Sequence, residues 1–257
     1  MTTINKFDIQ DRLYEFPYHY IPHFEADGTP SLMRRLNWGF DYLCYQKHLH
    51  EKVVALQPQS VLEVGCGDGY FIGGLPSTIP IRVGADLSSR SIAFARAFHP
   101  DCTFYDQDIN AIQDTFDIVA AIEVIEHIPE NKLPVFFNVL YERLNDNGRV
   151  IISVPTTVIP LNKKHYRHYT KELLENQLWQ SGAELQIVEI EHVFSKPWWY
   201  EIFKRLLSNR LLSLEIKPFM RLAWRDIWHN HRIADEKTGF HLIATLKRDK
   251  PKQNNFV

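Results

Sequence analysis

Between residues 60 and 154 short apolar, β-branched runs alternate with segments of helical periodicity, and this alternation constrains the chain more than any other feature. Ser60–Val64, Ile81–Ala85, Thr103–Tyr105, Phe116–Ile122 and residues 150–154 read as strands. Residues 70–75 and 88–98 read as helices, the second capped by Ser88 or Ser89 with Pro100 beyond its end. A third helix places Leu133, Phe136, Phe137, Leu140, Tyr141 and Leu144 on one face, with Gly148 shortly after its end. Strands joined by helices pair in parallel, because a helical crossover returns the chain to the same edge of the sheet. The unbroken apolar run 116–122 fits a strand covered on both faces. A helix over 170–179, with Gly182 past its end, and strands at 185–190 and 240–246 complete the pattern. The expected fold is α/β: a Rossmann-like, mostly parallel sheet of seven strands, an N-terminal aromatic segment and a helical insertion before the last strand.

The chain divides accordingly. Residues 1–56 are an N-terminal segment and a helix over 32–56, expected to cover the active site. In this segment Pro17, Pro22 and Pro30 alternate with Tyr14, Phe16, Tyr18, Tyr20 and Phe24, which precludes one long helix. Residues 57–194 are the core, 195–239 the insertion, and 240–257 the last strand and tail. Apolar residues make up 45% of the 257, enough for a large core. A net charge of −2 argues against a nucleic-acid partner. Three cysteines without metal-type spacing (Cys44, Cys66, Cys102) suit a reducing compartment. The opening residues lack an apolar signal core and no window suits a membrane span, so the expected location is cytoplasmic.

The sharpest motif runs from Val61 to Gly69, Val-Leu-Glu-Val-Gly-Cys-Gly-Asp-Gly, at a strand–helix junction. Glycines there permit positive φ and let a ligand approach the backbone. The spacing is not the G-x-G-x-x-G of dinucleotide binders, which argues against a nicotinamide oxidoreductase, and no Lys followed by Ser or Thr marks a P-loop. Glu63, two residues before Gly65, suits a ligand with a cationic amine. Asp86 ends the next strand, about 20 residues on, where a carboxylate accepts from ribose hydroxyls and Leu87 flanks a base. Asp108 follows the third strand, placed to accept from an adenine amino group. The alternative is that Asp86 and Asp108 serve only as caps or turn residues.

Four stretches in chain order, VLEVGCGDG, VGADLS, YDQDIN and FDIVAAIEVIEHIP, resemble the class I S-adenosylmethionine (SAM)-dependent methyltransferases. The resemblance covers about half the chain well. Glu123 to Pro129 (EVIEHIP) is similar to the branch that methylates small molecules, quinone precursors, sugars and lipid-linked glycans, and HYRHYTKEL (165–173) is similar to the segment after the fifth strand there. The resemblance implies an antiparallel last strand. It also implies that Glu63 and the loop of Gly65, Cys66, Gly67 and Gly69 hold the methionine part of SAM, Asp86 with Leu87 the ribose and its neighbourhood, and Asp108 with Ile109 the adenine. Glu123 would lie near the sulfonium. The implied function is O-methylation of a small molecule or of a sugar in surface-glycan biosynthesis. A SAM-binding regulator without catalysis is the alternative from another class.

An oxygen acceptor must lose a proton, so a base near its hydroxyl accelerates transfer. His127, just past the fourth strand, is the first candidate, with His165 and His168 behind it. The alternative for His127 is a loop-orienting role, and for 165–169 a polar loop before a helix capped by Thr170; Tyr166, Arg167 and Tyr169 are candidate contacts for an acidic or sugar acceptor. Glu123, Glu126, His127 and His165 together also resemble the metal-binding set of the small-RNA 3′-terminal 2′-O-methyltransferases, and carboxylate and imidazole ligands suit Mg²⁺ or Mn²⁺. The expected SAM-dependent site needs no metal.

The insertion holds four of the six tryptophans: Trp198, Trp199, Trp224 and Trp228. Between residues 195 and 232 eight Lys or Arg stand against three acids. Trp199, Ile202, Phe203, Leu206, Leu207 and Leu211 recur at helical spacing with Lys204, Arg205 and Arg210 on other faces. That pattern suits a lid packed on the core or, over 195–232, a peripheral contact with a membrane surface.

Overall fold

The computed structural model describes residues 23–24, 27–31, 39–207, 214 and 216–249. Tyr14, Phe16, Tyr18, Tyr20, Pro17 and Pro22, the 32–38 part of the expected first helix, and Arg210 and Leu211 lie outside these residues.

One sheet organises the chain. Its strands are β3 (Ser60–Val64), β4 (Ile81–Ala85), β5 (Thr103–Tyr105), β6 (Phe116–Ile122), β7 (Leu144–Pro155), β8 (Leu185–Ser195), β9 (Ile233–Ala234) and β10 (Gly239–Arg248), in the spatial order β5-β4-β3-β6-β7-β10-β8-β9. A separate two-residue pair, β1 (His23–Phe24) and β2 (Pro30–Ser31), stands apart. Strands β3 to β7 pair in parallel, and β10 lies antiparallel between β7 and β8. The sheet therefore has eight strands rather than seven. The extra one, β9, pairs through His192↔Ala234 and Val193↔Ile233, and two residues are too few to show a period.

Helices cover both faces, as the buried runs require. On one face lie α1 (Gly39–Ala55), α2 (Tyr70–Gly74) and α3 (Ser89–Phe98), with Leu43, Leu49, Phe71 and Ile92 packed on Ile118, Ala120 and Ile243. On the other lie α4 (Leu133–Glu142) and α5 (Lys171–Ser181), with Phe137, Leu140 and Leu174 packed on Val119, Ala121 and Leu242. Successive residues of β6 and β10 thus enter opposite layers, the period of a strand. The caps follow the sequence: Ser88 accepts from the Ser91 N–H, Thr170 accepts from the Leu173 N–H, and Gly182 closes α5 at φ +67°.

Helix α4 is shorter than its apolar period implies. It stops at Glu142, and Leu144 begins β7, paired with Phe116. Gly148 is no helix cap; a Cβ there would lie 2.8 Å from the Asp117 carbonyl, so glycine is needed for the close approach of β7 to β6.

The insertion forms α6 (Tyr200–Leu207) and α7 (Lys217–Asp226), the latter continued by a π-helical turn, Ile227–His231. The single expected apolar stripe is split. Trp199, Tyr200 and Phe203 meet the Phe40 ring of α1 at 5.8–6.4 Å, while Ile202 and Leu206 turn outward, 53% and 64% exposed. Met220, Ala223 and Ile227 anchor α7 in the core. Trp228 lies under Arg232 and Lys47, at 4.4 and 4.7 Å, and Phe24 packs edge-on to Trp224. No helix among the described residues is long and apolar enough to cross a membrane.

Candidate active site

A cavity of about 600 Å³ opens at the C-terminal edge of β3, β4, β5 and β6, where open α/β sheets bind ligands. Its floor is the bend after β3. Gly65, Gly67 and Gly69 all have positive φ, and a Cβ on Gly65 would stand 2.6 Å from the Val124 side chain. The loop is pinned by the Gly65 and Cys66 N–H groups donating to the Ala85 carbonyl, and by the Gly67 N–H donating to Asp86 Oδ2 at 2.9 Å.

Asp86, Leu87, Asp108 and Ile109 line this cavity together, as their order along the sequence predicts. The two aspartates also shape their own turns. Asp86 Oδ1 accepts from the Ser88 N–H, and Asp108 Oδ1 accepts from the Asn110 N–H. Cap and wall are therefore one role each, not competing ones. Glu63 differs from expectation. It lies beneath the loop rather than on the wall, buried, with Oε2 accepting from the Ile72 N–H at 3.0 Å. Burial, with the charges of Asp68 and Asp86, pushes its carboxyl well up. Cys66, also buried, packs its thiol over Gly84. Of the loop, Gly65 reaches the wall; Gly67 and Gly69 hold the bend.

Glu123 stands on the wall at the tip of β6 with φ +56°, a conformation a glutamate keeps only where its surroundings enforce it. Its Oε1 accepts from Ser153 Oγ at 2.8 Å and from His241 Nδ1 at 3.2 Å. Burial works to raise its pKa, yet the His241 charge and these hydrogen bonds hold it below the ordinary carboxylate range.

The histidines sort by depth. His127 lines the cavity; His165 and His168 do not. The rings form a row, His127 to His165 at 4.6 Å and His165 to His168 at 5.0 Å. Their partners assign the tautomers. A carbonyl only accepts, so His168 donates from Nδ1 to Ile159 O at 2.9 Å, and His127 donates from Nδ1 to Lys164 O at 3.2 Å. His168 Nε2 then accepts from His165 Nδ1 at 2.8 Å. Both ring nitrogens of His168 are thus committed inside the fold, which removes it as a base, whereas His127 stands on the cavity wall.

His127 Nε2 lies 3.7 Å from Glu126 Oε1. Glu126 is fully buried, neither of its oxygens has a hydrogen-bond partner among the described residues, and burial with the Glu123 charge pushes its carboxyl well above the usual range. Ligating atoms of Glu126, His127 and His165 fall within 4.8 Å of one another, close enough to share one cation. Glu123, held by Ser153 and His241, is outside this group.

Two further expectations change. Arg167 donates to the Ile125 and Ile128 carbonyls, at 3.1 and 2.8 Å, and Tyr169 is fully buried. Both brace the turn that carries His127, because its carbonyls have no helical continuation to accept them. Only Tyr166 of that group reaches the wall. Sequence reasoning missed Ser153 and His241. Their signal is a polar side chain inside a buried apolar strand, a residue that must find a partner.

A family model described as a methyltransferase domain matches residues 42–205. A ubiquinone biosynthesis O-methyltransferase from Pseudomonas entomophila (strain L48) is 21% identical over 212 residues, covering 76% of this chain and 82% of its own. In structure, the N-methyltransferase NodS from Bradyrhizobium japonicum WM9, in complex with S-adenosyl-L-homocysteine, superposes with a TM-score of 0.59 at 13% identity, covering 96% of this chain and all of its own. The methyltransferase domain of bacterial CtHen1-C gives a TM-score of 0.55 at 15% identity, covering 84% of this chain and all of its own. The glycine bend, the acids beside it and a cavity of ligand size fit SAM as cofactor. The chain belongs to the methyltransferase-domain family and is a class I SAM-dependent methyltransferase.

Proposed function

We propose that this enzyme methylates an oxygen of a small hydroxylated acceptor, with a sugar of a surface glycan the first class to test. The observation that carries the reading is the pairing of Glu123 and His127 on one cavity wall, beside the strand tips that bear Asp86 and Asp108. Bound SAM supplies a methyl carbon activated by its sulfonium. Gly65 receives the methionine end by backbone, Asp86 the ribose hydroxyls, and Asp108 with Ile109 the adenine. Glu63 acts one step back, bolting β3 to α2. On transfer of that methyl group to the acceptor oxygen, His127 Nε2 would take the hydroxyl proton. Tyr166 and Asn131 give the wall polar contacts suited to an acceptor with several hydroxyls. The relatives named as ubiquinone biosynthesis O-methyltransferases support oxygen as the target atom.

A second reading is favoured by the buried Glu126 carboxyl, unpartnered among the described residues, beside the His127 and His165 imidazoles. A divalent cation held by Glu126, His127 and His165 would grip the acceptor oxygen and lower its pKa, as carboxylate and imidazole ligands allow. An RNA 3′ end is the acceptor class of this metal-dependent alternative. Peripheral membrane contact is part of the proposal: Trp198, Ile202 and Leu206, four residues apart, present an exposed apolar row in a segment with eight Lys or Arg and three acids.

The deciding experiment incubates the chain with labelled SAM and fractionated cell extract, with and without a chelator. Label entering polysaccharide or small molecules regardless of chelator is the expected result. Label entering RNA and lost with chelator supports the second reading. SAM binding without label in any fraction overturns both and leaves a SAM-binding regulator.

A further inference from the structure

The site reaches one strand further than the cradle requires. Asp108, Asp86 and the glycine bend occupy the tips of β5, β4 and β3; Glu123 is at the tip of β6, on the side toward β7 and β10. There its carboxylate is gripped from behind. His241, near the start of β10, pairs in register with Pro155 of β7 and Val193 of β8, which sets its ring at the same edge of the sheet. Its Nδ1 meets Glu123 Oε1, the oxygen that also accepts from Ser153. The Tyr45 ring of α1 covers the imidazole at 4.1 Å, and the Asp41 carboxyl of the same helix is part of its electrostatic surroundings. His241 Nε2 is buried with no hydrogen-bond partner among the described residues.

A buried ion pair is a poor source of net stability, since apolar residues of like volume fill the same space at less desolvation cost. What such a pair supplies is orientation. Both donors converge on Oε1, which favours one orientation of the carboxylate on the cavity wall. The left-handed backbone at Glu123 directs the side chain there, at a conformational cost the surrounding contacts sustain.

Resting on the O-methylation reading, we infer that Glu123 accepts from a second hydroxyl of the acceptor, beside the one whose proton His127 takes, and that His241, with Ser153, is the positioning residue that fixes Glu123. Glu123 then belongs to acceptor binding rather than to the sulfonium side of the cofactor. His241 touches no substrate and acts only through Glu123.

The test uses the full chain and the acceptor fraction labelled in the extract experiment. His241→Leu should lower turnover at least 30-fold while SAM affinity by calorimetry stays within about twofold. His241→Asn, which keeps an N–H donor, should stay within about fivefold of wild type. Glu123→Gln in the His241→Leu background should add no further loss, because a residue acting through another is non-additive with it. Multiplicative losses, or Asn and Leu variants equally impaired, overturn the inference. If melting temperature falls with activity, Ser153→Ala serves as the milder variant, with the same cycle against Glu123→Gln. Histidine ¹⁵N spectra of the unliganded chain give a readout without acceptor: one imidazole Nδ1 proton should carry the downfield signature of a bond to carboxylate and lose it in Glu123→Gln. Its absence from the wild-type spectrum also overturns the inference. Transfer of label to the acceptor fraction by the wild-type chain separates this failure from that of the O-methylation reading.

Discussion

Single side chains carry the chemistry, and each makes a distinct prediction. Asp86 spends one oxygen on the glycine loop and the other on the Ser88 turn, so its loss disturbs both the cradle and the ribose contact. Asp86→Ala should weaken SAM binding roughly 10- to 100-fold, the scale of a charge-assisted hydrogen bond; unchanged calorimetric affinity would falsify the ribose assignment. His127→Ala should lower turnover by about 10²–10⁴-fold and leave SAM affinity nearly intact, as removal of a general base does. Wild-type turnover would exclude it from proton transfer. The buried titratable groups set a pH dependence. Asp41, pushed up to about 7 by burial, and Glu63 and Glu126, also raised by burial, favour the folded state when protonated. Their contribution is complete below the ordinary carboxylate value and is lost as pH rises through the raised one. His241 acts in the same sense: burial opposes its charge, but Glu123 overcomes this and raises it, so its stabilisation is lost as pH climbs past its folded value. His50, His99 and His192, whose pKa values burial lowers, act in the opposite sense but only below neutrality, so the unliganded chain should melt lower at pH 8.5 than at pH 7, by about 3 °C. A scan that rises across that interval contradicts these assignments.

Elements decide where those side chains can stand. The bend between β3 and α2 works because three glycines take positive φ and because Val124, one strand over, leaves room for a hydrogen but not a methyl at Gly65. Gly65→Ala should destabilise the chain by about 1–3 kcal/mol through backbone strain and displace Val124 from the wall. Chemical denaturation and SAM titration should show both losses together; a variant with wild-type stability and binding would show that the bend tolerates a Cβ. The turn after β6 is braced differently. Its short 3₁₀ segment leaves carbonyls that Arg167 and the Tyr166 N–H do not share: Arg167 takes Ile125 and Ile128, and Tyr166 takes Glu126. The segment after β7 thereby holds His127 against the cavity. These elements were legible in the sequence because each has a period or a cap. Helix α4 was read two residues too long because Leu144 happens to fall on its apolar face, and a periodic pattern does not mark where a helix yields to a strand.

At the scale of the whole molecule, the insertion is both wall and surface. Its Trp199, Tyr200, Phe203, Met220 and Ile227 close the core beside α1, whereas Trp198, Ile202 and Leu206 do not pack inward. If this row meets an anionic membrane, phosphatidylcholine vesicles containing phosphatidylserine should pellet the chain, and added salt should weaken the binding. A variant with Trp198, Ile202 and Leu206 all changed to Ser should stay in the supernatant with its SAM affinity unaltered. Equal pelleting of variant and wild type would rule the contact out. By itself the sequence determined the layered α/β fold, the glycine bend, and the order of Asp86, Asp108 and Glu123 along the strand tips, because these depend on periodicity and spacing within a few dozen residues. Only the tertiary structure decided that Glu63 and Cys66 lie under the loop, that His168 is spent on the fold, that β9 joins the sheet, and that His241 grips Glu123 across 118 residues. Those outcomes depend on which strands become neighbours, and strand adjacency is set by the burial of the whole core, not by local pattern.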